Sequence, residues 1–270
     1  MVTRAVSTWS LHRTLGRFVA DDSTPHGGPF MKSGADTNGL SLLELPAELR
    51  KRGYDALQIC HFHIPSRSPE YLAELRAALA SSNIELDAIL VDDGDMTNLD
   101  DADLVEAWIG SWLETAVALG ARRARLSAGK SAPNPERIDE SSKRLARLAA
   151  AHPEVRVVVE NWMGMMPDSK TVLAVLEASG DGVGLLIDLD NWHESDKYDE
   201  LAAIAPFAET CHAKCRFTGK QADSADFSRS LQILKETNYD GPLALIYDGS
   251  DDDEWGCLDT EWGIVREVFV

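Results

Sequence analysis

Four side chains of ligand or acid–base type punctuate the second half of the sequence: Glu160 in VVVEN, Asp188 in LLID and Asp248 in LALIYDG, each after an apolar run, and His212 within ETCHAK. The intervals between them are 28, 24 and 36 residues, each about the length of one strand–helix unit. Side chains spaced in this way, if each stands at the end of a strand in one parallel sheet, meet at one rim. Three carboxylates and one imidazole form an oxygen-rich donor set that suits one divalent ion, Mn, Mg, Co or Zn. Without a cation the clustered carboxylates would repel one another. A single carboxylate after a strand reads equally well as a helix cap or an ion-pair partner; the ordered series of four favours metal.

The stretch GLLIDLDNWH, Gly184 to His193, places a second aspartate, Asp190, two residues after the first. Asp188 directly follows the apolar run and is the expected ligand, with Asp190 as the alternative. QICHFHIPS offers His61 and His63 at i and i+2, on one side if the strand persists that far, where they would contact substrate hydroxyls or a carboxylate. Lys214 and Arg216 follow His212 and are candidates for binding an anionic group, a carboxylate or a phosphate. Trp9 and His12 near the N-terminus, and Trp162 and Trp192 beside the metal candidates, would form apolar and polar walls for a ligand, although core packing is an equal reading for Trp9. The acidic clusters DDGD (Asp92, Asp93, Asp95) and DDDEW (Asp251 to Trp255) read mainly as solvated loops.

These positions require a scaffold that delivers strand ends to one place. Eight β-rich runs alternate with helical periodicity: Arg4–Trp9, Ala56–Cys60, Glu85–Val91, Arg123–Ser127, Arg156–Glu160, Val183–Asp188, Glu209–Lys214 and Leu243–Tyr247. Ser68-Pro69 and Asn134-Pro135 are helix starts, each ahead of leucines at helical spacing. Eight such units predict a (β/α)8 barrel with its site at the C-terminal ends of the strands, and one domain over residues 1–270. The Gly-, Pro- and Asp-rich segment between Trp9 and Pro46 predicts a long loop after strand one, over that face.

Composition narrows the function. The 26 Lys+Arg against 45 Asp+Glu give a net charge of −19, which disfavours nucleic acid as a partner. No GxGxxG follows the first strand and no GxxxxGK[ST] occurs, so nucleotide-binding signatures are missing. Four cysteines without CxxC spacing read as reduced, mostly buried thiols. With neither an apolar leader nor a run near 18 residues, the expectation is a cytoplasmic protein without a membrane span. Pairing into a homo-oligomer is expected, though no stretch names an interface.

The motifs VVVENW, LLIDLDNWH and CHAK, with the opening STWSLH, resemble the xylose-isomerase-like TIM barrel superfamily, which includes sugar phosphate isomerases and ketose epimerases. The resemblance follows strand order along the whole chain, with its specific motifs in the second half. It implies a metal-dependent isomerase or epimerase of a small sugar or sugar-derived hydroxy-ketone, working through an enediolate. It also implies Glu160, Asp188, His212 and Asp248 as ligands, with Glu160 and Asp248 as the acid–base pair. The usual final glutamate is Asp248 here, one methylene shorter, which weighs against epimerisation by two opposed bases. In the family pattern a substrate-contacting His follows the metal aspartate by three residues; that place falls on Asn191 from Asp188, or on His193 from Asp190. A metal-dependent lyase or dehydratase of the inosose or dehydroshikimate type is the alternative within enzymes, and a non-catalytic ligand-binding barrel the alternative outside them. A three-zinc nuclease arrangement, which the extra histidines would suit, is opposed by the acidic charge and the lack of a basic stripe.

Overall fold

Alternation along the strands shows why the chain closes on itself. In Arg156–Glu160, Val157 and Val159 pack outward into the main hydrophobic core while Val158 belongs to a separate inner cluster. In Val183–Asp188, Leu185 and Ile187 pack outward and Leu186 inward. Strands apolar on both faces must be covered on both, as in a parallel barrel ringed by helices. The computed structural model describes residues 2–16, 23–27 and 39–269.

The strands are β1 (Thr3–Ser7), β2 (Ala56–Cys60), β3 (Glu85–Leu90), β4 (Arg123–Leu126), β5 (Arg156–Glu160), β6 (Val183–Asp188), β7 (Ala208–Lys214), a short antiparallel hairpin of β8 (Phe217–Thr218) and β9 (Gln221–Ala222), and β10 (Pro242–Ile246). All but the hairpin form a closed parallel barrel, with β10 between β7 and β1. The expected (β/α)8 architecture is therefore present, its eight strands within a residue or two of the sequence reading. The helices are α1 (Leu45–Lys51), α2 (Pro69–Ser81), α3 (Ala102–Leu119), α4 (Pro135–Ala151), α5 (Ser169–Ser179), α6 (Lys197–Ile204), α7 (Ser224–Glu236) and α8 (Glu254–Val268). Two start signals act as their chemistry requires: Ser68 accepts from the Tyr71 amide ahead of α2, and Asn134 from the Arg137 amide ahead of α4.

Inside the barrel a layer of Ala5, Ala56 and Ala244 closes one level, and Cys60, Ala88, Leu90, Val158 and Leu186 form another. A polar network is also buried there. Arg123 and the Thr210 hydroxyl donate to Asp87, and the Gln58 amide donates to Asp87 at 2.8 Å and to Thr210 at 3.2 Å. The loop expected after strand one is described only in part, since residues 17–22 and 28–38 lie outside the described residues. Its described portions sit on the C-terminal side of the barrel. The Ser23 carbonyl lies 2.6 Å from His61 Nε2, just past β2, and Glu254 accepts from the amides of Arg13 and Thr14. All four cysteines are unpaired and buried, as read from their spacing.

Candidate functional site

The strand period of two turns Val158 and Glu160, Leu186 and Asp188, and Thr210, His212 and Lys214 toward the barrel axis. Glu160 and Asp188 end β5 and β6, His212 lies two residues before the end of β7, and the three converge, one ligand atom of each lying within 4.8 Å of the others. All three are buried. His212 Nδ1 is 3.3 Å from Glu160 Oε1 and 3.6 Å from Asp188 Oδ2. A cavity opens beside them, lined also by Trp9, Cys60, Arg125, Trp162, Asn191 and Lys214.

The network beneath fixes the histidine's tautomer. Gln58 spends its amide protons on Asp87 and Thr210, so its oxygen faces His212 Nε2, at 2.8 Å, and Nε2 must carry hydrogen. A neutral His212 therefore aims the Nδ1 lone pair at two carboxylates. A lone pair facing carboxylate oxygens with no proton or cation between them is unfavourable in a buried site, even with Arg125 on the far oxygen of Glu160. A proton on Nδ1 relieves the conflict: burial opposes it, but Glu160 and Asp188 outweigh burial and raise the His212 pKa to about 9. A divalent ion relieves it better, with an imidazole already oriented by its outer hydrogen bond. The residues present thus fit a divalent ion.

Arg125, which the sequence reading did not single out, is buried on β4 with Nε 3.0 Å from Glu160 Oε2 and Nη2 2.5 Å from Asp92 Oδ1. Burial raises the pKa of Glu160, but Arg125 and then His212 overcome this and hold it below the ordinary glutamate value. Asp92 is likewise lowered against its own burial, chiefly by Arg125. Asp92 is therefore part of the cavity wall and no solvated loop residue. The available signal was the alternation in Arg-Ala-Arg-Leu: in a strand covered on both faces, arginines at i and i+2 must enter the barrel and find acids there.

The other candidates divide. Asn191 donates to Glu160 Oε1 at 2.8 Å, and Trp9 and Trp162 wall the cavity. Trp192 instead donates to the Met166 carbonyl. The Asp190 carboxylate stands apart from the three candidate ligands, although its amide donates to Asp188 Oδ1: its Oδ1 accepts from Lys197 and Arg216 at 2.9 and 2.8 Å, and Arg216 also contacts His193. That places Arg216 and His193 around Asp190 and away from the cavity lining. Asp248, the expected fourth ligand, is not brought into the cluster. Its side chain is 41% exposed and lies 2.7 Å from Lys214 Nζ. Asp248 follows the end of β10, whose inward position next to the cavity is held by Ile246.

His61 and His63 also part company. β2 ends at Cys60 and the chain enters a 3-10 turn over His61–His63, in which i and i+2 no longer share a side. His61 packs edge-on against Trp108 and Trp112 of α3. His63 reaches Thr8 and His12, its pKa well below the usual histidine value through burial and then the neighbouring His12. Neither is among the residues that line the cavity, nor is His12, whose ring centre lies 4.9 Å from that of the lining residue Trp9.

Comparison with solved structures returns whole-chain matches. An L-ribulose 3-epimerase superposes with a TM-score of 0.73 at 16% identity, over 100% of this chain and 95% of that one. A D-psicose 3-epimerase from Clostridium cellulolyticum H10, crystallised with D-tagatose, gives 0.70 at 13% identity, over 99% of both chains. A xylose isomerase-like TIM barrel protein from Mycobacterium smegmatis, in complex with magnesium, gives 0.68 at 15% identity, over 99% of this chain and 96% of that one. At such identities the likeness speaks to fold. A search of curated protein sequences returns no match. The sequence model of the xylose isomerase-like TIM barrel matches residues 46–257, and the chain belongs to that family.

Proposed function

We propose that the protein is a divalent-metal-dependent isomerase or epimerase acting on a small sugar or sugar-derived hydroxy-ketone through an enediolate. The observation that carries this reading is the convergence of Glu160, Asp188 and the His212 Nδ1 lone pair on one point, beside a cavity at the C-terminal face. A fold alone does not assign a reaction, but this donor set is suited to a hard divalent ion, and the epimerases of like fold are consistent with it. When bound, such an ion would polarise a carbonyl and offset the negative charge that develops beside it.

The chain's own groups supply the rest. Glu160, held ionised by Arg125, is placed to take the proton α to the carbonyl. Asn191 fixes the orientation of its other oxygen, and Trp9 and Trp162 offer apolar faces to the carbon chain. With Asp248 engaged by Lys214, a second carboxylate opposite Glu160 is not assembled. Proton transfer on one face, as in an aldose–ketose shift, is favoured over exchange between two opposed carboxylates. The same observation favours a dehydratase as second reading, since expulsion of water from an enediolate needs one base at the α-carbon.

The test is metal analysis of the purified protein, followed by a screen of ketoses, hydroxypyruvate and inososes with that metal restored. Conversion at constant mass supports isomerisation, and product lacking one water supports the lyase. Stoichiometric metal with no turnover on any of them would leave a binding barrel and sink the enzymatic reading.

A further inference from the structure

Charge pairing around the cavity leaves one group over. Among the lining residues, Arg125 contacts both Asp92 and Glu160, and a divalent ion would offset the charge that remains on Glu160 and Asp188. With His212 neutral as a ligand to that ion, Lys214 is the remaining cation of the lining. It shares the inward face of β7 with His212, and its side chain is 20% exposed. Its ion-pair partner among the described residues is Asp248, which is 41% exposed and so keeps much of its hydration. A pair half in water contributes little and is readily exchanged. The inward position of β10 beside it is Ile246, so no acid of that strand backs Lys214 from within.

From this we infer that Lys214 is the anchor for a carboxylate on the substrate, and that the substrate class is an acidic sugar or other hydroxy-keto acid in preference to a neutral ketose. The Asp248 carboxylate, 2.7 Å from the ammonium, marks where the substrate's carboxylate binds. On binding, one carboxylate replaces the other at Lys214 and Asp248 turns out to solvent. The inference rests on the metal-centred reading above, and it adds a specificity that the three ligands do not provide.

The experiment compares D-fructuronate with D-fructose, ketohexoses that differ in a terminal carboxylate against a hydroxymethyl group. Binding of each is measured calorimetrically to the Mn-loaded protein, after titration of Mn itself into the same samples. Wild type should bind fructuronate about tenfold or more tighter than fructose. Lys214→Met should remove that preference, weakening fructuronate by about 10–100-fold and leaving fructose unchanged, while Lys214→Arg should retain much of it. Asp248→Asn should tighten fructuronate by about threefold or more, because the competing charge is gone, and should keep Mn affinity. Equal binding of the two sugars by wild type, an equal loss of both in Lys214→Met, or weaker fructuronate binding in Asp248→Asn would each overturn the inference. Failure of wild type to take up Mn would overturn the metal-centred reading and this one with it; Mn uptake without carboxylate preference would overturn this one alone.

Discussion

His212 holds two outer partners and one decision. Its Nε2 hydrogen is committed to Gln58, so the occupant of Nδ1, proton or metal, is set by Glu160 and Asp188. In the metal-free protein the raised pKa, about 9 against an ordinary 6.5, makes the imidazolium a stabilising group. That stabilisation is complete below about pH 6.5 and is lost as pH rises through about 9. Metal uptake has the opposite slope, because the ion must displace the Nδ1 proton. Affinity is therefore expected to climb roughly tenfold per pH unit between pH 7 and 9, releasing about one proton per ion, and then to level off. Gln58→Leu should cost about 10–100-fold in affinity by freeing the ring and its tautomer. Calorimetric titration in buffers of different ionisation enthalpy reads both; affinity flat across that range would refute the assignment of Nδ1. The three residues were legible in the sequence because Glu160 and Asp188 close apolar runs and His212 stands one strand–helix unit further on. The tautomer was not, because Gln58 and Asp87 lie more than 120 residues away and meet His212 and Thr210 only when the barrel closes.

Elements carry side chains predictably only as far as their geometry lasts. Glu160, Asp188 and His212 lie within β5, β6 and β7, where period two applies, and the strands bring the three together. Asp248 lies two residues past β10, and His61 and His63 lie in a 3-10 turn. Beyond a strand's end, direction is set by loop packing that the sequence pattern does not encode. One such loop, between β5 and α5, docks on the loop after β4. Met163 adopts a positive φ of 65°, the Met165 amide donates to the Gly129 carbonyl, and a Cβ on Gly164 would lie 2.3 Å from the Lys130 carbonyl oxygen. Because that obstacle is backbone, Gly164→Ala should destabilise the fold by about 1–3 kcal/mol and disturb Trp162, which lies over Arg125 in the cavity wall. Thermal unfolding and tryptophan emission measure the two effects. An alanine variant with the wild-type Tm and spectrum would show that the two loops are not held in this register.

At the scale of the whole molecule, the three proposed ligands lie on β5, β6 and β7, consecutive staves of a closed barrel. A cation bound there is bound by the folded state, since the unfolded chain separates the three groups by 28 and 24 residues. Mass action then links occupancy to global stability: at about one hundred times Kd, the gain is about 2.7 kcal/mol. For a chain of this size that corresponds to a rise in Tm of roughly 5–10 °C, reversed by a chelator. Asp188→Asn should abolish the rise, because it removes one of three donors. Asp190→Asn should behave differently. That aspartate joins Lys197 on α6 to Arg216 after β7, and Lys197 also pairs with Asp226 on α7, so its loss lowers stability with or without metal. The Asp190 variant would start from a lower Tm yet keep its full metal-dependent increment. If instead the increment vanished in Asp190→Asn and survived in Asp188→Asn, the ligand would be the second aspartate, and β6 would have to end in a different register from the one that pairs Asp188 with His212.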